Sequence, residues 1–424
     1  MFSRQTGRCI KISCLDILGP APFIVRHVMH TLCHIWTHLA AELLPVRPLS
    51  SQPQILRLAL IGIARAPALP GWFNRCGGKK QSVAKLGQTW QSRGAKRVGN
   101  GMMAGGIAGQ RAQVTVDAVV IGRNEGARLV ACLGALQAQV RRLVYVDSGS
   151  TDGSVAAAEA AGAEVVALDM TQPFTAARAR NAGLEQLADD PPEFVQMVDG
   201  DCEVQPSWID AALAAFEAHP AAVVVCGRRR ERFPLASVYN ALADREWDTP
   251  IGPARACGGD ALMRYDAVQA VGGYDASMIA GEEPDLCLRL RARGGEVWRI
   301  DAEMTLHDAA LMRFGQWWRR SVRAGHAFAE GTARHGFDHW GIETRRALIW
   351  GAGLPLVVLI AGLWHPAGWL LALIYPAQVA RLARRGGWAW GLFSVIGKFA
   401  EARGAVGFYV SRLRGQRRGL IEYK

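Results

Sequence analysis

A short apolar run that ends in two aspartates constrains this chain more than any other feature. Residues 194–198 read Phe-Val-Gln-Met-Val, and Asp199-Gly200-Asp201 follows directly. Such a run predicts a buried strand, which leaves both carboxylates at the carboxyl edge of a sheet, where ligands bind in open α/β folds. Carboxylates on a tight turn suit Mg²⁺ or Mn²⁺, ions that commonly hold a substrate's phosphates. The alternative is an ordinary surface turn, because Asp-Gly is a common turn dipeptide.

The segments around this run favour the metal site, because strand and helix signals alternate ahead of it. Apolar strands are predicted at 114–121, 143–146, 164–168 and 194–198, and helices at 125–139, 154–161 and 174–187. Strands separated by helices of this length pair in parallel through right-handed crossovers. Residues 114–343 are therefore predicted to form an α/β domain of the nucleotide-binding type.

Charge divides the chain into three regions, although the net charge is +12 overall. Residues 1–113 carry 15 Lys+Arg against 2 Asp+Glu, residues 114–343 carry 22 against 33, and residues 344–424 carry 12 against 2. The acidic middle has no basic stripe with interleaved aromatic residues, so we do not expect nucleic acid as a partner. The basic C-terminal region flanks apolar segments, which favours a membrane surface.

The first region has weak periodicity, scattered Gly and Pro, and basic residues almost without acidic partners. It lacks the charged start, continuous apolar stretch and cleavage site of a signal peptide. We expect residues 1–113 to be a disordered leader or an over-extended start, with the functional protein beginning near Met102 and Met103. The nine cysteines show no Cys-x-x-Cys pair, which favours buried thiols in a reducing compartment over a disulfide framework or zinc site.

The C-terminal region, residues 344–424, contains a long uncharged stretch. Residues 347–380 include no Asp, Glu, Lys or Arg. As one helix this stretch would be ~50 Å long, too long for a hydrocarbon core ~30 Å thick. Pro366 and Gly368 divide it, so we predict a membrane hairpin of two short helices, with flanking arginines placing both ends in the cytoplasm. A re-entrant hairpin and a buried helical pair are the alternatives, and residues 388–409 are predicted to form an interfacial amphipathic helix.

Polar side chains follow the first two predicted strands. Asn124 and Glu125 come after the first strand and are expected to approach a nucleotide, and Asp147 ends the second strand, where it can accept hydrogen bonds from a base or ribose. On the third predicted helix, Arg178 and Asn181 are three residues apart and share a face. A guanidinium there can reach a phosphate or the carboxylates.

Taken in order, these motifs resemble the donor half of family 2 glycosyltransferases, which have the GT-A fold and use nucleotide-diphosphate sugars. The resemblance rests on the acid that ends the second strand, on Arg-Asn-Ala-Gly at 180–183 and on the Asp-x-Asp edge at 199–201. Later segments agree with it: 258–264 and 271–275 resemble the acceptor side, and 281–290 resembles the Glu-Asp motif that opens a helix. The resemblance covers roughly residues 114–330. It implies a Rossmann-like domain with a mixed, mostly parallel sheet, ahead of the C-terminal helical hairpin.

The resemblance also assigns roles to residues. It makes Asp201 the first metal ligand, with Asp199 sharing the ion or contacting the sugar, and His307 a further ligand. A divalent ion neutralises the charge that grows on the departing nucleoside diphosphate. Where the family has the catalytic Asp of its Glu-Asp pair, this chain has Glu283, with Glu282 and Asp285 as alternatives. A single base implies inversion at the anomeric carbon. The alternative is that the carboxylates of Glu282, Glu283 and Asp285 only stabilise the start of a helix.

The acceptor side is expected to include Gly259, Asp260, Arg264, Trp317 and Arg320. The last two belong to Gln316-Trp317-Trp318-Arg319-Arg320, which resembles a Gln-x-x-Arg-Trp motif of processive members but departs at its final position, so processivity is not inferred. An arginine run after an apolar strand is expected either to meet an anionic acceptor such as a lipid phosphate or to be solvated: Arg228, Arg229, Arg230 and Arg232.

These inferences predict a metal-dependent glycosyltransferase at the inner or plasma membrane, with its catalytic domain in the cytoplasm. Its partners would be a nucleotide-diphosphate sugar, a lipid-linked or glycan acceptor, and the membrane. A sugar nucleotidyltransferase is the first alternative, but it needs a Gly-rich, basic triphosphate loop after the first strand, and residues 122–126 contain none. The second alternative is a non-catalytic membrane scaffold, which intact Asp147, Asp199, Asp201 and Glu283 argue against.

Overall fold

The computed structural model describes residues 114–416 and Gly419. All of these residues belong to one compact unit. The expectations for residues 1–113, a leader and a start near Met102 and Met103, lie outside the described residues.

The first half of the domain alternates strands and helices as the sequence predicts. Strands β1 to β4 span Val116–Gly122, Leu143–Asp147, Glu164–Ala167 and Phe194–Asp199. Helices α1 to α3 span Ala127–Leu136, Ser154–Ala160 and Ala176–Gln186. β1 pairs in parallel with β2 and β4, and β2 pairs in parallel with β3. The predicted parallel α/β arrangement is therefore confirmed, with element ends shifted by a few residues.

The second half adds antiparallel strands to the same sheet. Strands β5 to β9 span Cys202–Val204, Ala222–Glu231, Gly252–Ala254, Ala261–Arg264 and Glu296–His307. Helices α4 to α7 span Trp208–Ala218, Val238–Trp247, Tyr265–Ala270 and Glu282–Ala292. The sheet order is β3-β2-β1-β4-β8-β6-β9-β5, and β7 pairs with β9. Because β8 is antiparallel to both β4 and β6, the sheet is mixed, and the half built from β1 to β4 is parallel.

The core of the domain is centred on β1, which is covered on both faces. Val119 is completely buried, and α3 packs on it so closely that a Cβ atom at position 183 would lie 2.2 Å from its side chain, so Gly183 is required there. The buried carboxylate of Asp117 is neutralised by Arg141 at 2.7 Å. A parallel strand buried on both faces has a nearly continuous apolar sequence, which is why the pattern was recognisable without the structure.

The C-terminal region is helical and packs against the sheet domain through α8. Its elements are α8 Phe314–His335, α9 Gly341–Leu348, a π-helical turn Ile349–Gly353, α10 Leu354–Trp364, a 3₁₀ segment Pro366–Leu373, α11 Ile374–Gly386 and α12 Trp388–Leu413. The predicted domain boundary between residues 343 and 344 falls inside α9.

Small residues let α12 lie directly on α8. A Cβ atom at Gly325 of α8 would lie 2.0 Å from the carbonyl oxygen of Glu401, and one at Gly404 of α12 would lie 2.0 Å from the carbonyl oxygen of Val322. The sequence predicts an interfacial amphipathic helix here. In the structure, one face of α12 is buried against α8, so this helix is part of the compact unit.

One helix in the described part of the chain is long and apolar enough to cross a membrane. α9, the π-helical turn and α10 run on as a single helix, Gly341–Trp364, with a mean hydropathy of 2.1 in its most apolar window, of which 11% is buried. The helix ends at Trp364, where the sequence predicts an interruption. The 3₁₀ segment then folds back on α10, so closely that a Cβ atom at Gly368 would lie 2.2 Å from the backbone of Ala361. The second arm differs from the prediction of a short apolar α-helix. It consists of the 3₁₀ segment followed by α11, which ends in arginines.

Candidate active site

The carboxyl ends of β1, β2 and β4 meet at one edge of the sheet. In the register of the parallel pairs, Gly122 lies beside Asp147 and Ile121 lies beside Asp199. The Asp147 residue is 6% exposed, whereas the Asp199 side chain is 30% exposed. Asp199 is therefore more accessible to a ligand than Asp147.

Asp147 and Asn124 hold two loops of this edge together. The Oδ2 atom of Asp147 accepts hydrogen bonds from two backbone N–H groups of its own loop at 2.9 and 3.0 Å, and the hydroxyl of Tyr145 donates to Oδ1 at 3.0 Å. Asn124 has a φ of 54°, which asparagine tolerates better than most residues, and its Oδ1 accepts the N–H of Thr151 at 2.7 Å. Both predicted nucleotide-binding residues therefore stabilise the loops that follow β1 and β2, which together we call the cleft wall.

Glu125, Arg178 and Asn181 also stabilise segments around the cleft. Glu125 forms an ion pair with Arg128 at 2.7 Å. Arg178 donates to three backbone carbonyls of the loop before α3 at 2.9 to 3.1 Å, so in this structure it does not reach the carboxylates. Asn181 binds the backbone of Tyr274 twice, donating through Nδ2 and accepting through Oδ1, both at 2.8 Å.

Arg180, two residues after Arg178, supplies the cation that contacts the carboxylates. It is 2% exposed. Its Nη2 donates to Asp199 Oδ1 at 2.8 Å, its Nη1 donates to Glu282 Oε1 at 2.9 Å, and Nη2 lies 3.3 Å from Glu283 Oε1. Because each helical residue turns by ~100°, positions 178 and 180 face opposite sides of α3, and only position 180 faces the sheet.

Asp199 is held from its other side by Arg229 of β6. The Nη2 atom of Arg229 lies 3.5 Å from Asp199 Oδ2 and 2.7 Å from Asp260 Oδ2. Asp260 is fully buried and accepts the N–H of Asp199 at 3.2 Å. A Cβ atom at Gly259 would lie 2.6 Å from Asp199 Oδ2 and 2.7 Å from Arg180 Nη2. Gly259 and Asp260 thus pack directly against the carboxylate at the sheet edge.

Asp201 and His307 are brought together by strand pairing, although 106 residues separate them. β5 runs antiparallel to β9 with Cys202 opposite His307. The Nε2 atom of His307 lies 3.1 Å from Asp201 Oδ2, and both side chains are buried. Burial, followed by the nearby charge of Arg229, lowers the pKa of His307 to about 4. The imidazole is therefore neutral at physiological pH and keeps a lone pair for a metal ion.

The donor atoms of this pair fit a divalent cation. Carboxylate oxygen and imidazole nitrogen suit ions such as Mn²⁺. The 3.1 Å between the two atoms is close to the ~3 Å that separates neighbouring ligands of an octahedral ion with bonds of ~2.1 Å. The buried Nδ1 of His307 has no hydrogen-bond partner among the described residues. Asp199, the third predicted ligand, lies between Arg180 and Arg229.

Two glutamates open α7 beside Arg180. Gly281 precedes them with a φ of 86°, a left-handed conformation that glycine adopts without strain. Glu282 is buried, and its Oε2 has no hydrogen-bond partner among the described residues. Burial and then the charge of Glu282 raise the pKa of Glu283 to about 7, against the opposing effect of Arg180. A carboxylate with such a pKa is suited to accept a proton near neutral pH.

Asp285, the remaining candidate base, is turned away from this cluster. Its Oδ1 lies 2.6 Å from Nε2 of His335 on α8, and its Oδ2 accepts from Arg289 at 2.8 Å. One oxygen therefore connects α7 with α8 and the other stabilises α7 itself, so Glu283 is the best placed of the three carboxylates.

Three of the expected acceptor-side residues lie elsewhere. Arg264 pairs with Phe194 at the amino-terminal end of β4, the end opposite Asp199, and its guanidinium lies 4.9 Å over that ring. Trp317 is buried in the helical region, edge-on to Phe393 at 5.0 Å. Arg320 forms an ion pair at 2.7 Å with a glutamate of α5. Strand length and helix packing, which the motifs do not encode, determine these positions.

The arginine run at 228–232 does not present free cations to an acceptor. Arg229 faces the site, and its neighbours pair with acidic residues: Arg228 with Asp301 and Asp248, Arg230 with Asp244, and Arg232 with Glu203. Alternation along β6 explains this arrangement, because successive side chains of a strand point to opposite faces.

Arg180 and Arg229 are the site residues that motif reasoning did not assign. The Arg-Asn-Ala-Gly motif contained the first, and strand periodicity after Cys226 could have indicated the second.

The fold and the site define a class of protein. It is a GT-A type α/β domain. Two of its parallel strands end in aspartates, Asp201 lies against His307 in the turn that follows one of them, and a glutamate with a raised pKa lies at the start of a nearby helix. Residues 117–249 match the family described as glycosyl transferase family 2. The match covers the donor half of the α/β domain.

The chain is also similar to individual proteins. The chain is 26% identical over 288 residues to the pre-mycofactocin glycosyltransferase of Mycobacterium tuberculosis, which covers 63% of this chain and 58% of the relative. The chain thus matches little more than half the length of that curated relative. Among solved structures, the fold is similar to the mannosyltransferase PcManGT of Pyrobaculum calidifontis in complex with GDP-Man and Mn²⁺. That likeness has a TM-score of 0.50 and 18% identity, and it covers 69% of this chain and 86% of the other.

Proposed function

We propose that this chain transfers a sugar from a nucleotide-diphosphate sugar to a lipid-linked or polysaccharide acceptor, with the help of Mn²⁺ or Mg²⁺. One observation carries the proposal. Asp199 ends β4, Asp201 follows it and lies against His307 at the end of β9, and Arg180 links Asp199 to Glu283. In the proposed roles, the donor-binding Asp199 and the proton acceptor Glu283 both contact one buried guanidinium, that of Arg180.

Asp201 and His307 would hold the metal ion, with Asp199 directed toward the sugar or ribose of the donor. When bound, the ion supplies positive charge that neutralises the departing diphosphate. Arg229 lies beside Asp199 and close to His307, and its charge adds to the positive potential at this edge. Asn124 and Asp147 support the donor by keeping the two loops of the cleft wall in place.

Glu283 is proposed as the base that takes the proton from the acceptor hydroxyl. Arg180 orients its carboxylate at 3.3 Å and ties it to Asp199, so the acceptor and donor sides keep a fixed relation. A single base acting in a direct displacement inverts the anomeric carbon. Burial, and then the charge of Glu282 held by the same guanidinium, raise the pKa of Glu283.

Association with a membrane is part of the proposal. The helix Gly341–Trp364 leaves apolar side chains exposed, including Leu356 and Ile360 at more than half of their surface. Basic residues outnumber acidic ones by 12 to 2 in residues 344–424, which favours an anionic, cytoplasm-facing lipid surface. We propose that the hairpin inserts in the inner or plasma membrane and that the catalytic domain lies in the cytoplasm.

Titration calorimetry with Mn²⁺ and a panel of nucleotide sugars tests the central assignment. Asp201→Ala is expected to abolish Mn²⁺-dependent binding of the preferred donor, because a charged ligand of the ion is lost. Asp210→Ala, an exposed aspartate in the first turn of α4, is the control and is expected to bind like the wild type. Equal donor affinity in both variants would refute the metal site, and a wild-type protein that hydrolyses no nucleotide sugar would refute the function.

A further inference from the structure

An apolar groove lies between α11 and α12, away from the sheet edge. Its volume is about 510 Å³, within the ~300–1,000 Å³ of small-molecule sites, and every residue that lines it is aliphatic, aromatic or proline. Trp388 and Leu392, which line it from α12, are 73% and 44% exposed, so the groove is open to its surroundings. With no polar group to bind a sugar or a nucleotide, the groove suits a hydrocarbon chain.

One end of the groove adjoins the apolar helix Gly341–Trp364. Tyr375 and Phe399 line this end, with their ring centroids 5.5 Å apart. The hydroxyl of Tyr375 donates to the carbonyl oxygen of Trp350 at 2.8 Å, and Trp350 belongs to the apolar helix. Because we propose that this helix inserts in the membrane, a lipid chain can enter the groove from the bilayer.

The other end of the groove is basic. Arg384 follows the lining residue Ala380 by one helical turn, Arg385 is next to it, and Trp388 lines the groove just beyond them. Both arginines are exposed, and neither forms an ion pair within the described part of the chain. Residues 374–400 contain no Asp or Glu. Two guanidinium groups at the end of an apolar groove suit a phosphate that is joined to a hydrocarbon chain.

A helix of the sheet domain connects this basic end with the proposed site. Arg245 of α5 donates to the carbonyl oxygen of Gly386, at the end of α11, at 2.6 Å. Two residues further along α5, the ring centroid of Trp247 lies 4.8 Å from that of His307. The acidic residues on either side of Arg245 are paired with other arginines. The basic end of the groove and the proposed metal pair therefore lie at the same end of α5.

We infer that this groove holds the hydrocarbon chain of the acceptor, and that the acceptor is a lipid phosphate whose phosphate lies at Arg384 and Arg385. The reacting hydroxyl then belongs to the head group that this phosphate carries, on the side of α5. The inference rests on the proposed function and deepens it, because it selects a lipid-linked acceptor over a polysaccharide. Binding energy from the remote chain positions the reacting end.

Photo-crosslinking tests the inference with the full-length protein in nanodiscs of phosphatidylcholine. The probe is dodecyl phosphate with a diazirine in its chain, and peptide mass spectrometry locates the label. We expect the label in residues 374–399, and we expect unlabelled dodecyl phosphate to compete with it. Dodecanol, inorganic phosphate and phosphatidylglycerol should each compete at least about tenfold less well, since each lacks either the chain, the charge or the single-chain phosphate that the site recognises.

A variant that fills the groove tests the site of the chain. Ala380→Phe is expected to raise the probe concentration for half-maximal labelling by about tenfold, as for the displacement of about two methylene groups. Ala377→Phe is the matched control, because Ala377 is an exposed residue of the same helix that does not line the groove. It should be labelled like the wild type.

A second variant tests the site of the phosphate. Replacing both Arg384 and Arg385 by glutamine is expected to weaken labelling by about tenfold or more, because charge-assisted hydrogen bonds are lost. The same charge change at the exposed Arg412 and Arg414, near the other end of α12, should have no effect. Because Arg384 and Arg385 are exposed, this variant is expected to fold even if Ala380→Phe does not.

The inference is overturned if residues 374–399 are not labelled, or if each variant is labelled like its control. Competition equal to that of dodecyl phosphate would also overturn it: by dodecanol it would show a groove without phosphate recognition, by inorganic phosphate a site without a chain, and by phosphatidylglycerol a site for bulk membrane lipid. Calorimetry with nucleotide sugars keeps the proposed function separate. A wild-type protein that binds no donor would refute that function, whereas labelling reports on the groove alone.

Discussion

Replacing Arg180 by methionine tests the electrostatic design of the site most directly. The guanidinium is 2% exposed and contacts the carboxylates of Asp199, Glu282 and Glu283. Methionine fills a similar volume but leaves these carboxylates without their cation. Removing one partner of a buried ion pair costs about 3–5 kcal/mol. We therefore expect Arg180→Met to lower the free energy of unfolding by about that amount, and the melting temperature by about 6–10 °C at ~2 °C per kcal/mol.

The effect should depend on pH with a definite sign. Loss of Arg180 removes the interaction that opposes the raised pKa of Glu283, so carboxyl pKa values in the folded variant rise further. A raised carboxyl pKa stabilises the folded state at acidic pH, and this contribution is lost as the pH increases through the raised pKa. The difference between wild type and variant should be small near pH 4.5, close to the ~4.3 of an unperturbed glutamate, and should grow toward pH 8.

Chemical denaturation followed by tryptophan fluorescence in detergent solution measures this difference. Arg178→Met, two residues earlier on α3, is the matched control. It loses hydrogen bonds to exposed backbone carbonyls, and we expect a cost of about 1 kcal/mol that does not vary with pH. If Arg180→Met is no more destabilising than Arg178→Met at pH 8, or if the difference is the same at pH 4.5, the role assigned to Arg180 is wrong.

Three further predictions follow from the same geometry. Glu283→Gln should keep donor affinity but slow transfer by about 10²- to 10⁴-fold, and Glu282→Gln should slow transfer less. Transfer by the wild type should rise with pH through about 7 as Glu283 ionises. Near-normal transfer by Glu283→Gln in single-turnover kinetics would remove Glu283 from catalysis. Gly259→Ala should weaken donor binding in calorimetry, because its Cβ would lie 2.6 Å from Asp199 Oδ2, and an unchanged affinity would show that the loop can move aside. The full-length protein should resist extraction from membranes by high salt and by carbonate. Leu356→Arg should become extractable, since an arginine near the centre of the apolar helix costs about 2.5–3.5 kcal/mol on insertion; release of the wild type by salt alone would indicate surface binding.

Local patterns in the sequence were sufficient for the first half of the fold. Strands buried on both faces, such as β1 and β4, have nearly continuous apolar sequences, and the helices between them follow at spacings that require parallel pairing. The same reasoning located Asp147, Asp199 and Asp201, because parallel strands bring their carboxyl ends to one edge. The break of the apolar stretch at residue 365 was also predictable, since proline cannot continue a helix.

Other features depended on contacts between residues that are distant in the sequence. His307 faces Asp201 only because β5 and β9 pair in one register. The choice of Arg180 over Arg178 depends on which side of α3 packs on the sheet, and weak periodicity in that helix did not reveal it. Arg264 lies at the wrong end of its strand for the predicted role because β8 runs antiparallel to β4.

The sequence by itself determined the order of the parallel elements, the carboxylates at their ends and the apolar C-terminal stretch. Hydrophobic periodicity and turn chemistry are local properties, so one segment at a time is enough to recognise them. The tertiary structure alone decided which charges meet around Asp199, that α12 packs on α8, and that Asp285 and Trp317 serve packing. Ion pairing and close helix contacts depend on distances across the fold, which residue spacing along the chain does not specify.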